Sequence, residues 1–185
     1  MRNQRGITLV ALVVTIIVLL ILAAVSIAML RGDSGIITNA QNAKYANIES
    51  EVIDRVNLAY NAVVTEIKVK DATQQGYDAT SAASVAALAK IVSVDLGGTG
   101  TFTSGSETIS ALNGNYTVAY DTTNSQITIT YADSDFSTDS GTKYTEISYT
   151  ITMSHEATGG NKATRACTTP GADTTNGIER QVGQD

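Results

Sequence analysis

Residues 7–30 read ITLVALVVTIIVLLILAAVSIAML, from Ile7 to Leu30, without a charge, a glycine or a proline. At about 1.5 Å per residue a helix of this length covers about 36 Å, more than the roughly 30 Å hydrocarbon core of a bilayer. A core helix of a soluble domain would show a polar face. Here only Thr8, Thr15 and Ser26 interrupt the apolar surface, and their hydroxyls can bond back to helix carbonyls. The run predicts a membrane segment. Arg2 and Arg5 precede it and Arg31 closes it. By the positive-inside rule the short N-terminus stays cytoplasmic and the rest of the chain faces outward. A cleaved secretory signal is the rival reading. Ala23-Ala24-Val25-Ser26-Ile27-Ala28 offers a small-residue site, but such signals carry an apolar region of only about 7–15 residues.

Downstream of the run, Arg31-Gly32-Asp33-Ser34-Gly35 would loosen a helix, since each glycine costs about 1 kcal/mol against alanine. We read residues 32–35, with Gly32 and Gly35, as a hinge at the membrane edge rather than as an adhesive Arg-Gly-Asp loop. From 36 to about 75 the pattern turns amphipathic. Tyr45, Ile48, Val52, Val56, Ala59, Val63 and Ile67 recur at steps of three and four, which makes one apolar stripe that should dock on a head domain. The helix should stop near Lys70–Gln75, before Gly76.

A short second helix is predicted from Thr80 to Val92, capped by Ser81 or Thr80, with Val85, Leu88, Ala89 and Val92 on one face. Gly97-Gly98-Thr99-Gly100 then forces a loop. It lacks the preceding strand, following helix and Lys-Ser/Thr pair of a phosphate cradle. Alternation follows in Tyr116-Val118-Tyr120, Ile127-Ile129-Tyr131 and Ile147-Tyr149-Ile151-Met153, interleaved with Thr, Ala and Ser. Period two with β-branched and aromatic residues marks half-buried strands. The expectation is an antiparallel meander of three strands, or four if Glu107–Leu112 joins. One face would bury the helix stripe, and the Thr-rich face would meet solvent or neighbouring subunits. Residues 154–185 are polar and aperiodic and predict no regular element.

The net charge of −6 and the lack of clustered Lys and Arg argue against nucleic-acid binding. A single cysteine, Cys167, excludes an intrachain disulfide. His155 is the only histidine, too few ligands for a zinc site. A Cys167–His155 nucleophile pair would lie in a polar, ill-defined segment. Asp133, Asp135 and Asp139 alternate as in a calcium loop. Thr138 stands where an EF-hand needs glycine, however, and Tyr144 where it needs Glu, so a solvated inter-strand loop is the preferred reading. The sequence predicts no enzyme and no cofactor.

The leader Met-Arg-Asn-Gln-Arg-Gly, ending at Gly6 and followed at once by Ile7-Thr8-Leu9-Val10-Ala11-Leu12, resembles the class III signal of type IV pilins and pseudopilins. The resemblance covers about the first 45 residues. It implies that a membrane aspartyl peptidase, the prepilin peptidase, cuts between Gly6 and Ile7 on the cytoplasmic side. Ile7 would become the N-methylated first residue. Gly6 suits that site because it has no side chain to block a protease and resists helix formation, marking a helix boundary. The family usually has Glu at the fifth mature position, paired with the amine of a neighbouring subunit; here Ala11 stands there, as in pilin-like proteins of Gram-positive bacteria.

The helical stripe and the alternating strands predict an α+β fold, with a long N-terminal helix, a short second helix and a small antiparallel sheet, an arrangement that resembles the pilin stalk and head. The patterns together divide the chain into a leader (1–6), a transmembrane and assembly helix (7–31), a hinge (32–35), an amphipathic stalk helix (36–75), a head (76–153) and a polar C-terminal segment (154–185). The function that the resemblance implies is that of a structural subunit of a pilus-like extracellular filament. That subunit would be a homo-oligomer held in the membrane until an ATP-driven assembly machinery extracts it. The alternatives are a minor pilin or pseudopilin of a secretion or DNA-uptake system, or a membrane-anchored surface-binding domain that does not polymerise.

Overall fold

A computed structural model describes residues 4–31, 35–111, 114–133 and 146–168. Three helices precede five strands: α1 (Gln4–Arg31), α2 (Ile36–Thr73), α3 (Ala82–Asp95), β1 (Ser106–Ser110), β2 (Asn115–Asp121), β3 (Gln126–Ala132), β4 (Glu146–His155) and β5 (Asn161–Cys167). Contacts divide the chain into two units, Met1–Asn47 and Ile48–Asp185, so the boundary falls inside α2.

In the first unit, α1 is a single helix with no buried residue in its stretch from Leu9 to Met29. Two of its polar interruptions bond within the helix, the side chain of the third, Thr8, lying outside the described residues. The Thr15 hydroxyl donates to the Leu12 carbonyl at 2.8 Å, and that of Ser26 to the Leu22 carbonyl at 2.8 Å. The helix starts at Gln4 and runs through Gly6, which corrects the expected boundary at that glycine. One interior glycine costs about 1 kcal/mol, and elongating an existing helix is far easier than nucleating one. Beyond Arg31, Gly32 of the expected hinge lies outside the described residues. Gly35 sits at the start of α2, its carbonyl accepting the Asn39 amide at 3.0 Å.

In the second unit the predicted stripe is buried: Ile48, Val52, Val56, Ala59, Val63 and Ile67 are all at most 5% exposed. The side chain of Tyr45, the first residue of that stripe in the sequence, lies outside the described residues. The sheet is antiparallel with strands in chain order, β1-β2-β3-β4-β5. Alternation places Ile109, Tyr116, Val118, Ile127, Ile129, Tyr131, Ile147, Tyr149, Ile151 and Met153 on one buried face. The Tyr60 hydroxyl donates to the Ala163 carbonyl at 2.9 Å, and the Arg165 guanidinium lies over the Tyr60 ring. Ala163 and Arg165 are in register with Met153 and Ile151, so α2 covers that buried face.

The second helix follows its predicted signals. Ser81 caps α3 by accepting the Ser84 amide, and Val85, Leu88, Ala89 and Val92 are buried. Gly97, at φ 93, ends the helix in a conformation that disfavours other residues. The outer face of the sheet carries threonine and serine in ranks, with Thr108, Thr117, Thr130 and Ser148 in one cross-strand row.

The sheet is larger than the sequence pattern predicts. β1 forms over Ser106–Ser110, short of Leu112, which lies outside the described residues. β5 forms inside the segment read as irregular. Its sequence NKATRAC lacks an apolar alternation. As an edge strand it is fixed instead by backbone pairing to the ten-residue β4 and by the Glu156–Gly160 turn, where the Glu156 amide donates to the Gly160 carbonyl at 2.7 Å.

Candidate processing and assembly segment

Gly6 and Ile7 lie one after the other on α1, within its first turns; their side chains are outside the described residues. From Leu9 onward every described side chain of α1 is exposed. Leu9 is 65% exposed, Val10 and Leu12 are each 61%, and Ala11 is exposed among them. So many uncovered apolar side chains in sequence have no counterpart on an ordinary soluble surface, where large contiguous apolar patches mark membrane or protein contacts. The segment brings no acid, base or nucleophile together. It can bury itself in lipid or against other helices.

The remaining sites proposed from sequence resolve differently. Asp133 is described and 4% exposed, whereas Asp135 and Asp139 lie outside the described residues. Asp133 bonds to Tyr131 and, after burial itself, is a cause of the Tyr131 phenol being pushed up to about 12. Among the described residues no group of three or more His, Cys, Asp or Glu is placed to hold a metal ion.

The Cys167–His155 pair does not form. Cys167 stands opposite Tyr149, six positions along β4 from His155, which is about 20 Å at strand spacing. His155 instead lies 3.2 Å from the Asp78 carboxylate. That carboxylate also accepts the Thr80 hydroxyl and amide, the bonds that chiefly hold its pKa below the ordinary range.

The Gly97–Gly100 loop is occupied by the protein's own carboxylate. Glu107 accepts the Ser93 hydroxyl at 2.5 Å and the Thr99 amide and hydroxyl at 2.8 Å each, and the Ser93 bond leads the causes that lower its pKa. A Cβ at Gly98 would run into Ser93 and Ile109, so the loop must close without a side chain there. Sequence reading missed this clasp. Its only signal was a Glu spaced shortly after a glycine cluster, which has many other meanings.

Compared with family models, residues 1–27 match the prokaryotic N-terminal methylation motif. No curated protein and no solved structure matches the chain. The N-terminus carries the class III signal peptide of type IV pilins, on a helix apolar and long enough to cross a membrane. The motif implies processing by prepilin peptidase and handling by the assembly machinery, and it supports a type IV pilin-like or pseudopilin precursor. Type IV pilins are structural proteins, and the motif with its apolar helix fits membrane anchoring followed by a place in a surface filament.

Proposed function

We propose that the mature chain is the structural subunit of a type IV pilus-like filament. The observation that carries this reading is α1 itself, with no buried residue from Leu9 to Met29 and with the methylation motif running through most of its length. In this reading prepilin peptidase cuts between Gly6 and Ile7, Ile7 is N-methylated, and α1 moves from lipid into a bundle of α1 helices. The transfer exchanges lipid for protein contacts, so its hydrophobic gain is small and close packing must hold the helices. Leu9, Val10, Ala11 and Leu12 lead that packing. With Ala11 at the fifth mature position, no charge is placed there to meet a neighbour's amine. Gly32 and Gly35 supply a hinge between α1 and α2. A charge inside lipid is costly, so an all-apolar segment suits long residence in the membrane before assembly.

Mass spectrometry of surface-sheared material tests the reading. The expected N-terminus is N-methylated Ile7, and a chain beginning at Met1 or after Ala28 overturns it. Gly6→Leu is expected to leave the leader attached and abolish filaments. Stoichiometry in the sheared filaments separates a major subunit from a minor pilin or pseudopilin, and recovery of the chain only in membranes indicates a non-polymerising anchor.

A further inference from the structure

Two grooves flank α2 in the second unit, and they differ in charge balance. On the α3 side a groove of about 630 Å³ has an apolar floor of Leu58, Ala62 and Ile91, with Glu66 and Asp95 at its rim. Leu58 is 61% exposed, and the adjoining Val94 is 56% exposed. Asp95 is the last residue of α3, where the helix dipole disfavours a carboxylate. Desolvation pushes its pKa up. Among the described residues its carboxylate has neither a hydrogen bond nor an ion pair. Glu66 holds Lys70 at 3.5 Å.

On the β5 side a groove of about 410 Å³ runs beside Tyr60 and Val64, with Lys68, Lys162 and Glu156 at its rim. Lys68 and Lys162 have no carboxylate partner among the described residues, and Arg165 adds a third cation over the Tyr60 ring. Asp71, on the same flank, accepts the amide and side chain of Asn161, at 3.0 and 2.6 Å, and keeps its negative charge there. The first flank thus offers the unpaired Asp95 carboxylate beside apolar residues, and the second an excess of one cation, with Lys68, Lys162 and Arg165 set against Glu156 and Asp71.

We propose that these flanks dock on each other between copies, the Leu58–Asp95 groove of one subunit receiving the Lys68–Lys162 flank of the next. The proposal rests on the filament reading above and names the contact that fixes its register. Pairing like flanks would set Asp95 against Asp95, whereas pairing unlike flanks sets Asp95 against Lys68 and Lys162. Unlike-flank docking is heterologous, and a heterologous contact that does not close into a ring propagates as an open helix. The apolar run from Ile7 to Leu30 holds no charged residue, so α1 packing alone specifies the stagger between neighbours weakly. Charge complementarity between heads is the kind of interaction that fixes register and rejects wrong alignments.

The test uses the full-length chain in cells, in a Cys167→Ser background. Asp95→Cys combined with Lys162→Cys, treated with a short bismaleimide in sheared filaments, is expected to give a ladder of covalent multimers. Either cysteine alone should give no ladder. Separately, Asp95→Lys and Lys162→Glu are each expected to lower filament yield about tenfold or more, and the double reversal to recover it to within about twofold of wild type. Thermal melting checks that the reversed chains fold; the cysteine pair decides the matter if Asp95→Lys does not. Filaments of the cysteine pair that give no ladder, with unchanged yields for both single reversals, overturn the head contact alone. Cross-linking only to a different protein likewise overturns it. A wild-type chain that yields no filament and stays monomeric overturns the filament reading and the contact together.

Discussion

Glu107, Asp78 and Asp121 each hold a pKa below the ordinary 4.5, 3.8 and 3.8, chiefly through hydrogen bonds from Ser93, Thr80 and Asn124. A depressed carboxylate contributes stability above its ordinary pKa and loses it as pH falls through the folded value. The thermal midpoint of the purified chain is therefore expected to stay level from neutrality to about pH 5 and to drop below about pH 4. Circular dichroism melts across that range measure it. Asp95 acts in the opposite sense: its raised pKa lets it gain stability as it protonates, so Asp95→Asn should steepen the acid loss. At the alkaline end, burial pushes Tyr116 and Tyr131 up to about 12. Of the eight tyrosines, these two are expected to resist ionisation at pH 11 while the head is folded, as read by ultraviolet absorbance. Their contribution to stability is present below about 10 and is lost as pH rises through the folded values. If all eight ionise together near 10 without unfolding, the two rings are not buried as described.

At the scale of elements, the two faces of α2 make contrasting predictions. Ile67 is 1% exposed, so Ile67→Ala should cost about 2–5 kcal/mol in urea unfolding. Leu58→Ala, on the open flank, should change stability by less than about 0.5 kcal/mol and yet reduce filament yield. Equal losses for both would mean that α2 docks by another face. The same stripe explains what could be read in advance. Steps of three and four from Ile48 to Ile67, and of two in β2, β3 and β4, report burial of one face directly, and those elements appear where the periodicity put them. The cap at Ser81 and the stop before Gly76 follow from backbone chemistry that is local. What escaped has a non-local cause. β5 exists because β4 is long enough to pair with it, and NKATRAC contains nothing that announces a partner. The Glu107 clasp depends on a loop and a strand meeting in space. Gly6, read as a helix boundary, is overridden by the apolar helix that follows it. The N-terminal methylation motif was legible because it is a linear signal, independent of the fold.

For the molecule as a whole, every buried apolar side chain among the described residues lies at Ile48 or beyond, while α1 contributes only exposed ones. A chain lacking residues 1–35 is therefore expected to fold and run as a soluble monomer by size-exclusion chromatography with light scattering. Aggregation or loss of the circular dichroism signal would show that the head needs its membrane helix. Filament stability should fall with added salt if heads are joined by charge, measurable as pelletable material between about 50 mM and 500 mM salt. One further consequence follows from the strand order. Because β1 to β5 pair only with their chain neighbours, no strand has to wait for a distant partner, and contact order within the sheet is low. Low contact order favours fast folding. A head that crosses the membrane as an extended chain, tethered at one end, can add its strands in the order they arrive. With a lone cysteine it needs no oxidising catalyst on the far side. The topology thus suits a subunit that matures singly outside the cell and is kept ready for use.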